Sequence, residues 1–239
     1  MRPIRQRSWV PAARDFKPAF SLRRRMGHSA RKGLWVVLLG PDGVGKTSVI
    51  AGMGSGVAAG FAGCSAYHLR PSLLGNRCAR HPNCDPHGQS ARGAVITGLK
   101  LLYLVAANWL AYLAVVRPRM ARGGLVLFDR YFVDCIVDPK RYRIPETCGW
   151  MLELTQRILP KPDLYVVLDA PVNVLRERKQ EVTPTEAERQ RMDYQRLAVR
   201  LPHAVVVNAA QPLAEVVDEV VERSIERHLG CRGGVFEAA

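Results

Sequence analysis

Leu34-Trp35-Val36-Val37-Leu38-Leu39-Gly40-Pro41-Asp42-Gly43-Val44-Gly45-Lys46-Thr47 is the stretch on which the reading of this chain turns. Its first six residues form a short apolar run bounded by a turn signal, the pattern of a strand buried on both faces. They lead straight into G-x-x-x-x-G-K-[ST], here Gly40 to Thr47, and a helical pattern follows from Lys46. The glycines let the backbone wrap closely round phosphates, and successive N–H groups with the helix N-terminus make an anion nest. Lys46 is placed to reach the β- and γ-phosphates and the Thr47 hydroxyl to bind Mg²⁺. Strand, loop and helix in this order predict a nucleoside triphosphate site.

Working outward, four more short runs rich in Val and Leu predict strands at Ser65–Leu69, Leu125–Phe128, Leu164–Leu168 and Ala204–Val207. Helical patterns lie between them, at about Lys46–Val57, Ala91–Val116, Pro145–Leu159, Val172–Glu181, Thr185–Arg200 and Pro212–His228. This alternation predicts a three-layer α/β sandwich with a mainly parallel sheet. No internal repeat or Ser/Gly-rich linker divides it. Leu101–Val116 is the most apolar stretch, but its 16 residues are short for a membrane span and Asn108 lies in its middle. A helix buried inside the domain is the expectation.

The second chemical signal is Leu125-Val126-Leu127-Phe128-Asp129-Arg130-Tyr131. An apolar strand delivers a carboxylate and a guanidinium at its C-terminal end, where ligands gather in open α/β sheets. The carboxylate suits Mg²⁺ and the guanidinium suits a phosphate.

Charge separates the chain into parts. The net +14 over 239 residues is concentrated at the start: residues 1–33 hold ten Lys/Arg against Asp15 alone, leaving only +5 for the rest. The tail has no apolar run of signal-peptide length, so a mobile basic segment is expected. With Trp9, Phe16 and Phe20 interleaved, a nucleic-acid or anionic-membrane contact is its functional alternative. A composition 48% hydrophobic with six Cys excludes a disordered or disulfide-dense secreted class and fits reduced thiols in the cytoplasm. Cys78, His81, Cys84 and His87 recur every three residues, but the intervening prolines favour an ordinary loop over a zinc site.

At these residues the chain resembles the thymidylate kinases, within the P-loop nucleoside monophosphate kinases. The shared features are the acid at Asp42, Asp129-Arg130-Tyr131, the Arg117-Pro118 that ends the long helix, and Leu168-Asp169-Ala170-Pro171 before an arginine-rich segment, Arg176-Glu177-Arg178-Lys179. The resemblance implies a P-loop NTPase sandwich with a five-stranded parallel sheet in order 2-3-1-4-5 and a helical lid, in a domain spanning residues 34–230. Residues 231–239 would be a short C-terminal tail. It implies ATP as donor and Mg²⁺ as metal, the metal on Thr47 and Asp129. The catalytic residues would be Lys46, Asp129, Arg130 and Arg178. Gly40, Asp42, Gly43, Val44, Gly45, Lys46, Thr47 and Ser48, with Arg176, Arg178 and Ala210, would hold the donor. Asp42, Arg70, Tyr103, Asn108, Arg130, Arg141 and Arg143 would face the acceptor. A homodimer is the expected assembly.

The departures fall on the acceptor side. His68-Leu69-Arg70-Pro71-Ser72 lacks the family's Glu after the second strand, and Asn108 stands where the family has a base-reading Arg. After the Asp-Arg-Tyr come Phe132-Val133-Asp134-Cys135 and Asp138-Pro139-Lys140-Arg141-Tyr142-Arg143 in place of small polar residues. This wording, with Pro86-His87-Gly88-Gln89, resembles a thymidylate-kinase-like branch associated with bacterial surface polysaccharide genes. Phosphoryl transfer to a nucleoside monophosphate, dTMP first, is therefore expected, with a sugar or sugar phosphate as the alternative acceptor. Asp129 or Asp134 would be the base for a hydroxyl acceptor. A non-catalytic nucleotide-binding module and a nucleic-acid protein acting through the tail are the alternatives from other classes.

Overall fold

The computed structural model describes residues 32–56, 60–69, 93–178 and 183–230. Arg70, Lys179, the Cys78/His81/Cys84/His87 spacing, Pro86–Gln89, residues 1–31 of the N-terminal tail and residues 231–239 lie outside the described residues.

Five strands, β1 (Leu34–Leu39), β2 (Cys64–His68), β3 (Leu125–Asp129), β4 (Leu164–Asp169) and β5 (Ala204–Asn208), pair in parallel. Their order is β2-β3-β1-β4-β5. Central β1 is buried along its whole length, which is why its sequence is apolar without alternation. Its residues nevertheless divide by parity. Leu34, Val36 and Leu38 face one apolar layer; Trp35, Val37 and Leu39 face the other. The first layer is closed by helices α1 (Lys46–Gly56) and α8 (Leu213–Gly230), through Val49, Met53, Val217 and Val220.

The second layer is built by α2 (Ala94–Ala111), a π-helical stretch (Tyr112–Val116), α3 (Arg117–Ala121), α4 (Asp134–Val137), α5 (Gly149–Ile158) and α7 (Pro184–Arg200). Between β4 and α7 lies α6 (Val172–Arg178). Thr183 caps α7 by accepting the Glu186 N–H, with Pro184 at the first helical position, so this helix starts one residue before the predicted Thr185.

The long apolar segment corrects its expectation. It is helical from Ala94 to Ala121, yet only 28% of its most apolar window is buried. Leu101, Asn108, Ala111 and Val116 point inward, while Leu99, Leu102, Leu110 and Leu113 face outward, joined by Trp150, Leu154 and Ile158 of α5. The helix lies against the sheet with one stripe, and the opposite stripe is apolar as well. By length and composition it could also cross a membrane, a test that the core helix of a soluble domain passes too.

Candidate active site

The site forms because β1 and β3 are neighbours in register. Leu38 pairs with Asp129, so the loop leaving β1 and the residues leaving β3 emerge side by side. Gly40 has φ of +139°, and a Cβ there would lie 2.5 Å from the Leu168 carbonyl oxygen of β4. Gly45 has φ of +99° with open space around it, so there the backbone conformation alone demands glycine. The Lys46 ammonium is buried and donates to the Gly40 and Pro41 carbonyls at 2.8 and 2.9 Å. Burial, with Arg130 close by, pushes it down to about 8, against the pull of Asp129.

Thr47 donates from Oγ1 to Asp129 Oδ2 at 3.1 Å. Asp129 Oδ1 is buried and has no hydrogen-bond partner among the described residues. Burial works to raise this carboxyl, but His68, Lys46 and Arg130 outweigh it and hold it below its ordinary value. His68 Nδ1 lies 3.6 Å from the same Oδ2, brought there by the β2–β3 register. A charged carboxylate with one unpaired buried oxygen beside a threonine hydroxyl fits a hard divalent cation, so Thr47 and Asp129 would hold Mg²⁺. Such a carboxylate is a poor base.

Arg130 and Leu69 both have positive φ, +72° and +62°, and stand directly after the ends of β3 and β2. Strained non-glycine backbone at two adjacent strand ends marks a site held by its surroundings. Arg130 is buried between two carboxylates, donating from Nη1 to Asp134 Oδ2 at 2.8 Å and from Nη2 to Asp42 Oδ1. Arg141 donates from Nη1 to the other oxygen of Asp42 at 2.6 Å. Asp42 is thus held by both guanidiniums. Asp134 is 1% exposed and bound to Arg130, so it cannot meet an acceptor hydroxyl. Its expected role as an alternative base does not fit this enclosure: the Arg130 guanidinium holds it in place, while burial pushes its carboxyl up.

Arg178 donates from Nη1 to the Ala209 carbonyl at 3.0 Å and reaches the Val44 carbonyl at 3.5 Å. It spans the loops after β1 and β5. Ala210 is exposed in the latter, its N–H bonded to Asn208 Oδ1. Arg176 is exposed on α6, and Ser48 is exposed on α1 beside Thr47. Arg143 closes the turn after Arg141 with φ of +57°, half-buried. Tyr103 lies on the outward stripe of α2. Asn108 packs inward and donates to the Leu104 carbonyl one turn back, at 2.8 Å. Several contacts were not foreseen. Arg191 of α7 grips Asp169 with two bonds of 2.8 and 3.1 Å, Tyr194 interacts with Asp134, and Gln190 donates to Asp138. Each joins α7 to a residue more than twenty positions earlier, a separation that no local pattern in the sequence reports.

No protein-family model matches the chain. It is similar to the thymidylate kinase of Thermosynechococcus vestitus, 32% identical over 160 residues, spanning 59% of this chain and 62% of that protein. The thymidylate kinase of Pseudomonas entomophila is 29% identical over 227 residues, 84% of this chain and 99% of that one. That of Limosilactobacillus fermentum is 28% identical over 212 residues, covering 79% and 92%. Two solved thymidylate kinases share the fold. The one from Candida albicans has a TM-score of 0.57 at 13% identity, covering 82% of this chain and 94% of that one. The one from Ehrlichia chaffeensis has a TM-score of 0.55 at 16% identity, covering 80% and 98%.

Proposed function

Taking this chain as a divergent relative of the thymidylate kinases, we propose that its residues 34–230 are a kinase domain that transfers the γ-phosphoryl of ATP to a phosphorylated acceptor. The observation that carries this is the convergence of Lys46, Thr47, Asp129 and Arg130 on one loop, with Arg141 added from the next turn. An oxygen of the acceptor phosphate attacks the γ-phosphorus, the bond to the β–γ bridging oxygen breaks, and ADP leaves. Lys46 stabilises charge on the transferring group, Arg178 holds the loops that frame the adenine, and Arg130 binds the acceptor phosphate. Thr47 and Asp129 would hold Mg²⁺, which supplies charge neutralisation at the phosphates. An acceptor that is already a phosphate needs no general base, consistent with a low-lying Asp129 and an enclosed Asp134.

A nucleoside monophosphate is the first acceptor to try, dTMP foremost. The inward-turned Asn108 and the arginine-bearing 138–143 turn favour a second reading, a sugar phosphate of the kind used in surface polysaccharide synthesis. We further propose a cytoplasmic homodimer, with the outward apolar stripe of α2 and α5 as its seam.

A coupled ADP-release assay with dTMP, dUMP, dCMP and a sugar phosphate tests the function. Acceptor-dependent ADP release that Lys46→Ala abolishes is the expected result, with weak preference for thymine. Nucleotide binding without acceptor-dependent turnover would assign the chain to the non-catalytic class instead. A dTMP kcat/KM about a thousandfold above the rest would make it an ordinary thymidylate kinase.

A further inference from the structure

A carboxylate wedged between two arginines at the mouth of a phosphate-binding loop works against the binding of an anionic acceptor. Asp42 does this with both oxygens, Oδ1 to Arg130 and Oδ2 to Arg141. We propose that Arg130 and Arg141 form a guanidinium pair for one phosphoryl group, and that Asp42 is its resident counter-ion, exchanged for the acceptor phosphate on binding. This deepens the proposed transfer to a phosphorylated acceptor and rests on that reading.

The Arg130 side chain and the turn that carries Arg141 are secured without help from Asp42. Arg130 is tethered through Nη1 to Asp134 at 2.8 Å, and Asp134 in turn interacts with Tyr194 of α7. Arg141 sits in a turn that closes on itself. Its N–H donates to Asp138 Oδ1 at 3.2 Å, and the Ile144 N–H donates to the Pro139 carbonyl at 3.0 Å. The Tyr142 carbonyl takes the Lys100 ammonium at 2.6 Å, and Asp138 Oδ2 takes Gln190 Nε2 at 3.4 Å. Asp42 stands on different ground. It lies in the loop between Gly40 and Gly43, whose φ values are +139° and +84°, with Pro41 directly before it and Gly43 directly after. When the partners separate, Arg130 still holds Asp134, and the turn that carries Arg141 keeps its own closing bonds.

The chemistry of the exchange is matched. A carboxylate offers one planar pair of oxygens to two guanidiniums, and a phosphate monoester offers such a pair with a higher charge. Arg130 keeps Asp134 throughout, so its fork stays aimed at the same place. Acceptor affinity is therefore set by a competition between Asp42 and the incoming phosphate. Removing the competitor's charge should tighten binding, the opposite of what loss of a binding residue does.

Calorimetric titration of the full chain with inorganic phosphate and with dTMP tests this. Asp42→Asn should bind both about tenfold more tightly than wild type, and Arg141→Ala about tenfold more weakly, with Arg141→Lys in between. The gain from Asp42→Asn should shrink in an Arg141→Ala background, because half of the contested pair is gone. Equal or weaker phosphate binding by a folded Asp42→Asn would overturn the exchange. If that variant melts early, unchanged phosphate binding by Arg141→Ala, whose side chain is one third exposed, overturns it equally. Wild-type ADP release driven by a phosphorylated acceptor, with no tightening in Asp42→Asn, would sink the exchange alone. A wild type that binds no phosphate and turns over no acceptor would remove both readings.

Discussion

Burial alone would lift the Asp42 carboxyl above its ordinary 3.8, yet Arg130, Arg141 and Lys46 outweigh it and hold it at about 2. A carboxyl lowered on folding stabilises the protein above the unfolded value, and that stabilisation disappears as pH falls through the folded one. The difference corresponds to about 2 kcal/mol. Asp42→Asn should therefore be less stable than wild type at neutral pH, and urea unfolding should show the gap closing between about pH 4 and pH 2. A gap that persists unchanged at pH 2 would mean that the loss comes from shape and not from charge. Lys46, Thr47, Asp129 and Arg130 were legible in the sequence because each sits at a fixed offset from a recognisable strand. The burial of Asp134 was not. It depends on Tyr194, sixty residues later and on another helix, and no local pattern encodes that meeting. Asp42 was legible as a site residue but not as one already held by two arginines, for the same reason.

Among elements, the strands were read to within a residue at either end; the inner strands β1, β3 and β4 are covered on both faces, so they are apolar throughout and stop where a turn residue appears. The long helix was harder. Periodicity cannot tell a helix buried all round from one whose second apolar stripe faces outward. Nor does it show the wider turn at Tyr112–Val116, where the Arg117 N–H reaches back to the Tyr112 carbonyl. Pro118 follows at once, with no N–H to give and a ring that crowds the preceding turn, so a local widening relieves the ladder there. The outward stripe carries Leu102 at 67% exposure and Trp150 at 63%. If it is a dimer seam, Leu102→Glu with Leu99→Glu should convert the particle to a monomer in sedimentation velocity, with little change in melting temperature of the isolated chain. A wild type that sediments as a monomer would refute the seam.

At the scale of the molecule, the order β2-β3-β1-β4-β5 puts β1 at the centre, with an apolar layer on each side. Leu38 is completely buried there, between the helices of one layer and the strand that ends in Asp129. Leu38→Ala should cost about 3 kcal/mol in denaturant unfolding, as a cavity in a packed layer does. It should lower all activities together without changing which acceptor is preferred; altered preference would mean that the sheet and the acceptor turn are not independent. That independence has a consequence for descent. The 138–144 turn carries its own cap and its own closing bonds. It touches the Gly40–Thr47 loop through Arg141, which donates to Asp42. Under the proposed function, a lineage could rewrite this turn, or receive it whole by recombination, and acquire a new substrate while the residues proposed to handle ATP are inherited untouched. Grafting it onto a relative would be the way to move the substrate preference with it.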